Sequence, residues 1–169
     1  MSTLELKELS HPSGEVIKIA SGKTLDLHSQ GTTKMPAGSV LQVITDTYYH
    51  ASSHGVTTST AYVDTELSVV ITPKFTNSKI IISASLSSQA PTDNRGHVRV
   101  LRDSTALTGP TWTGIGSGYV FNSINGVWVD TPSTTSAVTY KIQAAATGGS
   151  FYYHHAGYIN SLVVTEVAV

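Results

Sequence analysis

Two segments carry the side chains best suited to contact chemistry. One holds Tyr48, Tyr49, His50 and His54; the other holds Tyr152, Tyr153, His154 and His155. Imidazole can ligate a metal, move a proton or hydrogen-bond, and a phenol ring offers a flat apolar face with a polar edge. Metal ligation fits poorly. His50 and His54 are four apart, which aligns them only on a helix, and Ala51-Ser52-Ser53 gives no strong helix. There is no His-x-His pair, no carboxylate beside either cluster and no cysteine. The expectation is no metal and no cofactor, with one route left open: a threefold axis that gathers one His from each of three copies. Recognition is the better use, because Tyr and His among Ser, Gly and Asn make adaptable contact loops on a rigid scaffold. Trp112, in the Gly-rich stretch 109–118, joins this candidate surface, whereas Trp128 reads as core. The competing use is packing of these rings into the domain or a subunit interface.

Catalytic readings find little. No Gly-x-Ser-x-Gly elbow is present. Asp46, Asp64, Asp93, Asp103 and Asp130 fall at strand ends and turns, where carboxylates cap backbone amides. Residues 114–118 resemble a phosphate loop only in being glycine-rich, with no following Lys. No catalytic residue is assigned.

The elements that must position these side chains are strands. Only 12% of the 169 residues are charged, and Ser, Thr and Gly fill the gap. Leu67 to Thr72 and Lys79 to Leu86 are β-branched runs separated by Pro73 and the turn residues Thr76, Asn77 and Ser78; they read as central strands. Ala137 to Ala145 alternates, with Val138, Tyr140, Ile142 and Ala144 on one face and Thr139, Lys141 and Gln143 on the other. Asn125-Gly126 between alternating runs predicts a hairpin. Asp103-Ser104 predicts a turn after His97 to Arg102. Segments 48–60 and 147–157 read as loops. Leu162 to Val169, apolar on both faces, belongs inside a sheet or at a subunit interface. Eight to ten short strands with frequent turns imply an antiparallel sandwich or barrel.

The N-terminal part differs. Ser13-Gly14 recurs eight residues on as Ser21-Gly22, and Ile17 and Ile19 map onto Leu25 and Leu27. Two such arcs cannot bury their apolar face alone. Three copies winding together would bury Ile17, Ile19, Leu25 and Leu27 around one axis; the alternative is a hairpin packed on the main domain. The expected division is an anchor and β-repeat stalk over 1–34 and a head over 35–169. The net charge of −1, without a basic run, argues against nucleic acid. No signal-peptide layout opens the chain and no apolar run suits a bilayer span, so no membrane insertion is expected.

Met35 to Val43 (MPAGSVLQV), Leu67 to Ser87, Arg99 to Leu107 (RVLRDSTAL) and Ser161 to Val169 (SLVVTEVAV), in that order, resemble structural proteins of tailed phages, cyanophages in particular. In these a short β-stalk carries a jelly-roll head laid out like trimeric tumour-necrosis-factor-like domains. The resemblance implies an all-β jelly-roll head on a stalk, a homotrimer, and a place on the virion as a head fibre, decoration or tail-fibre component. It implies docking to another virion protein through the N-terminal segment and, through the head, attachment to a host-surface glycan or protein. The rival expectation is a free-standing lectin-type module.

Overall fold

The computed structural model describes residues 21–23, 35–90, 95–108, 112–115 and 120–169, with the backbone alone for 112–115, 120 and 121. Ile17, Ile19, Leu25 and Leu27 lie outside the described residues. The chain divides into two units, Met1–Lys34 and Met35–Val169, and all the described strands belong to the second. They are β1 (Val40–Tyr49), β2 (Gly55–Thr57), β3 (Val63–Ile71), β4 (Lys79–Ala90), β5 (Arg95–Arg102), β6 (Thr105–Ala106), β7 (Trp112–Ile115), β8 (Val120–Asp130), β9 (Val138–Ala146), β10 (Phe151–His154) and β11 (Ile159–Val167). No helix occurs among the described residues.

Every strand pairing is antiparallel, and the strands form two sheets of a sandwich. The front sheet runs β1-β11-β4, with β8 along the other edge of β4. β10 follows β11 along the same edge of β4 and carries β2 on its far side. The back sheet runs β3-β9-β5-β6, with β7 also on β5. Between the sheets lie Leu67, Val69 and Ile71 from β3, Ile80, Ile82 and Leu86 from β4, Tyr140 and Ile142 from β9, and Leu162 and Val164 from β11, all essentially sealed from solvent. Their alternate spacing is the physical basis of the fold, since a strand presents every second side chain to the core. β9 buries Val138, Tyr140, Ile142 and Ala144, as its alternation predicts.

The two β-branched runs are both core strands, but they are not neighbours. β3 belongs to the back sheet and β4 to the front sheet, so the Pro73 segment is a corner of the sandwich. Buried Glu166 fastens that corner: its carboxylate accepts from the Lys74 backbone N–H at 2.7 Å and from the Gln42 side-chain amide.

The hairpin expected at Asn125-Gly126 does not form. β8 runs unbroken through it, opposite β4 from Ala90↔Val120 to Ile80↔Asp130. The type I′ turn that Asn-Gly favours needs positive φ at both central residues, and neither Asn125 nor Gly126 has it. The continuous ladder, with Ile124 and Trp128 buried beneath it, outweighs the local turn preference. The turn predicted at Asp103-Ser104 is present, with Asp103 at φ 53 and β6 folding back on β5. Part of the Gly-rich stretch is also strand: β7 pairs with β5, Gly114 opposite Gly96.

Candidate functional site

Tyr48 and Tyr49 end a strand rather than sit in a loop. β1 pairs with β11, placing Tyr48 opposite Asn160 and Tyr49 opposite Ile159. Alternation turns Tyr48 inward and leaves Tyr49 58% exposed on the outer face. Asn160 is fully buried and organises this end. Its Oδ1 accepts from the Ser87 N–H at 2.7 Å and the Ser87 hydroxyl at 2.9 Å, and its Nδ2 donates to the carbonyls of Tyr48 and Tyr158 at 3.4 and 3.3 Å. The Ser87 Oγ in turn accepts from the His155 N–H at 2.8 Å. One buried amide thus joins β1, β4, β11 and the turn between β10 and β11.

The expected loop over 147–157 contains β10, and this corrects the placement of two candidate contact residues. Tyr153 and His154 are both buried. The register of β10 on β2 shifts between Tyr152 and His154, a bulge that breaks strict alternation and lets two successive side chains leave the surface. Tyr153 packs near Phe151, and burial pushes its hydroxyl above the ordinary phenol range, with the Glu66 carboxylate adding to the effect. The His154 ring lies 4.8 Å from the Tyr48 ring and 5.1 Å from that of Tyr153. Across the sandwich, its Nδ1 is 2.9 Å from Oε2 of Glu66 on β3. Burial holds this imidazole below the ordinary His range; the Glu66 carboxylate opposes that without overcoming it.

Three of the remaining candidates gather at the surface. His54, Tyr152 and His155 form one cluster, with His54 4.3 Å from the His155 ring and 5.4 Å from Tyr152. Exposed Tyr158, which the sequence did not single out, extends it at 5.7 Å from His155. Backbone bonds fix both imidazoles. The Ala156 N–H donates to His54 Nδ1 at 3.2 Å, and His155 Nδ1 lies 3.0 Å from the Ala156 carbonyl. A His54 Nδ1 that accepts this hydrogen bond carries the ring proton on Nε2, so in this arrangement neither nitrogen offers a free lone pair to a metal. His50 is separate: its Nδ1 accepts from the Ser53 N–H at 3.1 Å, closing the turn after β1. Trp112 lies on β7, and its side chain is outside the described set. Among the described residues no three His, Asp or Glu side chains converge on a metal-sized site.

Glu66 and Asn160 also escaped sequence reading. Each sits in an ordinary alternating strand. The His154 partner of Glu66, and the Ser87 and Tyr48 partners of Asn160, lie 73 or more residues away along the chain; Tyr158 is the local one. No local spacing marks them.

The two sheets present different outer faces. The back sheet shows a charged, interlinked surface. The Arg99 guanidinium lies 3.9 Å over the Tyr62 ring and bonds Gln143, while Lys141 and Gln143 bond Asp64 at 2.6 Å each. Lys141 foremost, then Gln143, hold the Asp64 carboxyl below the usual carboxylate range. The front sheet is uncharged across its outer rows. Val43, Thr165, Ile81 and Val129 form one row, and Thr45, Val163, Ser83 and Val127 the next. Thr47, Ser161, Ser85 and Asn125 form the third. The one charge on the described strand residues of this face is Lys79, at its rim. Val127 and Val129 are 60% and 64% exposed, and Ile159 at the cluster end is 70% exposed.

No protein-family model matches the chain, and no curated protein matches it.

Proposed function

We propose that this chain is a non-enzymatic structural protein of a phage virion, a short homotrimeric fibre whose jelly-roll head is residues 35–169. The observation that carries this reading is the uncharged outer face of the front sheet. Antiparallel sheets that face water ordinarily alternate apolar-in with polar or charged-out, as the back sheet does. Here Val43, Ile81, Val127, Val129 and Val163 point outward with Ser and Thr between them. Covering an exposed Val contributes about 1.5 kcal/mol or more, and a stable interface takes roughly 800 Å² from each partner. A face without charges suits further copies of itself, because no like charges meet whatever the rotation between copies. The Ser-Gly repeat and the resemblance to tailed-phage proteins favour three copies over two.

In this reading the N-terminal segment docks on another virion protein, and the His54–Tyr152–His155 corner, with Tyr49 and Tyr158, is the surface offered to a host glycan or protein. That aromatic corner also favours a second reading, a free lectin-type module, which would not need the uncharged face. Light scattering separates them. The first expects a mass near three times 17.9 kDa in solution, and the double variant Val127→Lys, Val129→Lys reduces it to one. Val70, equally exposed on the back sheet, is the control: Val70→Lys leaves the mass unchanged. A wild-type monomer at micromolar concentration would remove the fibre reading and leave glycan binding as the function to test.

A further inference from the structure

The His154 ring is 1% exposed, yet it bears two polar nitrogens. Nδ1 meets Glu66 Oε2 at ion-pair distance without hydrogen-bond alignment, and Nε2 is buried with no partner. An unpaired buried nitrogen is costly, and it costs most when it must carry a proton and a share of positive charge. The position matters as well. His154 is the last residue of β10, at a bulge, and β10 is held to β4 at one register position, Tyr152↔Gln89. This is the least-laddered part of the front sheet, and it underlies the His54–Tyr152–His155 corner.

We propose that the buried His154 ring is an acid-sensitive element between the two sheets, and that its protonation, offset only in part by Glu66, loosens β10, β2 and the aromatic corner they carry. The groups facing the ring are Tyr48 from β1, Glu66 from β3 and Tyr153 from its own strand. Glu66 is the charged one, and it is 39% exposed, so water screens its attraction for an imidazolium. Desolvation of the ring is the larger effect and favours the neutral form. The folded chain therefore binds fewer protons at His154 than the unfolded chain. Stability is intact above the ordinary His value of 6.5 and is lost as the pH falls through it toward the lower folded value. This inference stands independently of the oligomeric state.

The test uses the full chain. NMR titration of the imidazoles should show His154 taking its proton below pH 6.5. Hydrogen exchange, corrected for intrinsic rates, should show protection over 55–57 and 151–155 falling on acidification while β4 and β11 stay protected. The loss is about tenfold for each pH unit by which the folded value is depressed. His154→Gln, which cannot become charged, should abolish that loss; Glu66→Gln, which removes the compensating carboxylate, should deepen it. A native His154 that titrates at or above 6.5 overturns the proposal. So does acid loosening that persists in His154→Gln, or a corner that stays protected in the wild type.

Discussion

Asn160→Ala tests whether one buried amide holds the Tyr–His end of the sandwich together. The substitution deletes four hydrogen bonds at once. They do not count equally. The two donated by Nδ2 are 3.3 and 3.4 Å long and contribute little. The Ser87 hydroxyl keeps the His155 N–H as a partner, so it is not orphaned. The Ser87 N–H is different: at 2.7 Å it is a short bond, and its loss leaves a backbone donor unpaired inside the sheet, at about 1–3 kcal/mol. The vacated space adds about 1 kcal/mol, since the site is lined by strands that cannot collapse. The expected loss is therefore about 2–4 kcal/mol, read as a lower urea midpoint at fixed protomer concentration with an unchanged slope. Asn160→Asp sharpens the test. It keeps the Oδ1 acceptor for both Ser87 donors but turns the donor side into a carboxylate oxygen facing two carbonyls, so it should be destabilised at neutral pH and partly recover as the carboxyl protonates. A loss below about 0.5 kcal/mol for Asn160→Ala, within the range of ordinary surface substitutions, would refute the reasoning.

Other outcomes follow from the packing. Gly96→Ala should cost at least about 2 kcal/mol by thermal melting, because the added Cβ would overlap the fully buried Phe151 ring. Asp130→Ala should cost about 2 kcal/mol in chemical denaturation: the carboxylate joins the sheets, accepting from Arg102 at 3.0 Å and from the buried Tyr140 hydroxyl at 2.7 Å, and removing it strands the Tyr140 donor while water reaches Arg102. Tyr140 itself is held far above the usual phenol range, by burial first and the Asp130 bond second, so alkaline titration monitored at the phenolate band should leave it un-ionised until the fold melts. Tyr152→Ser should leave mass and melting nearly unchanged while weakening adhesion to a glycan-bearing surface, if the corner is for contact.

The sandwich was legible where burial acts through period alone. β9 and the runs of β3 and β4 needed no knowledge of their partners, because alternate residues meet the core whatever lies opposite. Pairing was less legible. Asn125-Gly126 carries the local chemistry of a tight turn, but the register with β4, some forty residues away, decides its conformation. The candidate site divides the same way. Tyr49, His50, His54, Tyr152 and His155 lie at or near the surface as their polar surroundings suggest. Tyr153 does not, because it follows Phe151 inward by alternation along β10, and His154 does not, because the β2–β10 register shifts before it.

The closure of the front sheet has a consequence for how the sandwich is made. β1 pairs with β11, and Gln42 reaches Glu166 across 124 residues of chain. The first strand of the sandwich therefore has no lateral partner until nearly all the rest has been synthesised, and β4 keeps one edge open for as long. Such long-range pairing places folding in the slower class, on the order of milliseconds to seconds. A nascent or truncated chain that lacks β11 exposes two strand edges together with the uncharged Val and Thr rows beside them. It would be an aggregation-prone species, and the last strand acts as the clasp that ends that vulnerability.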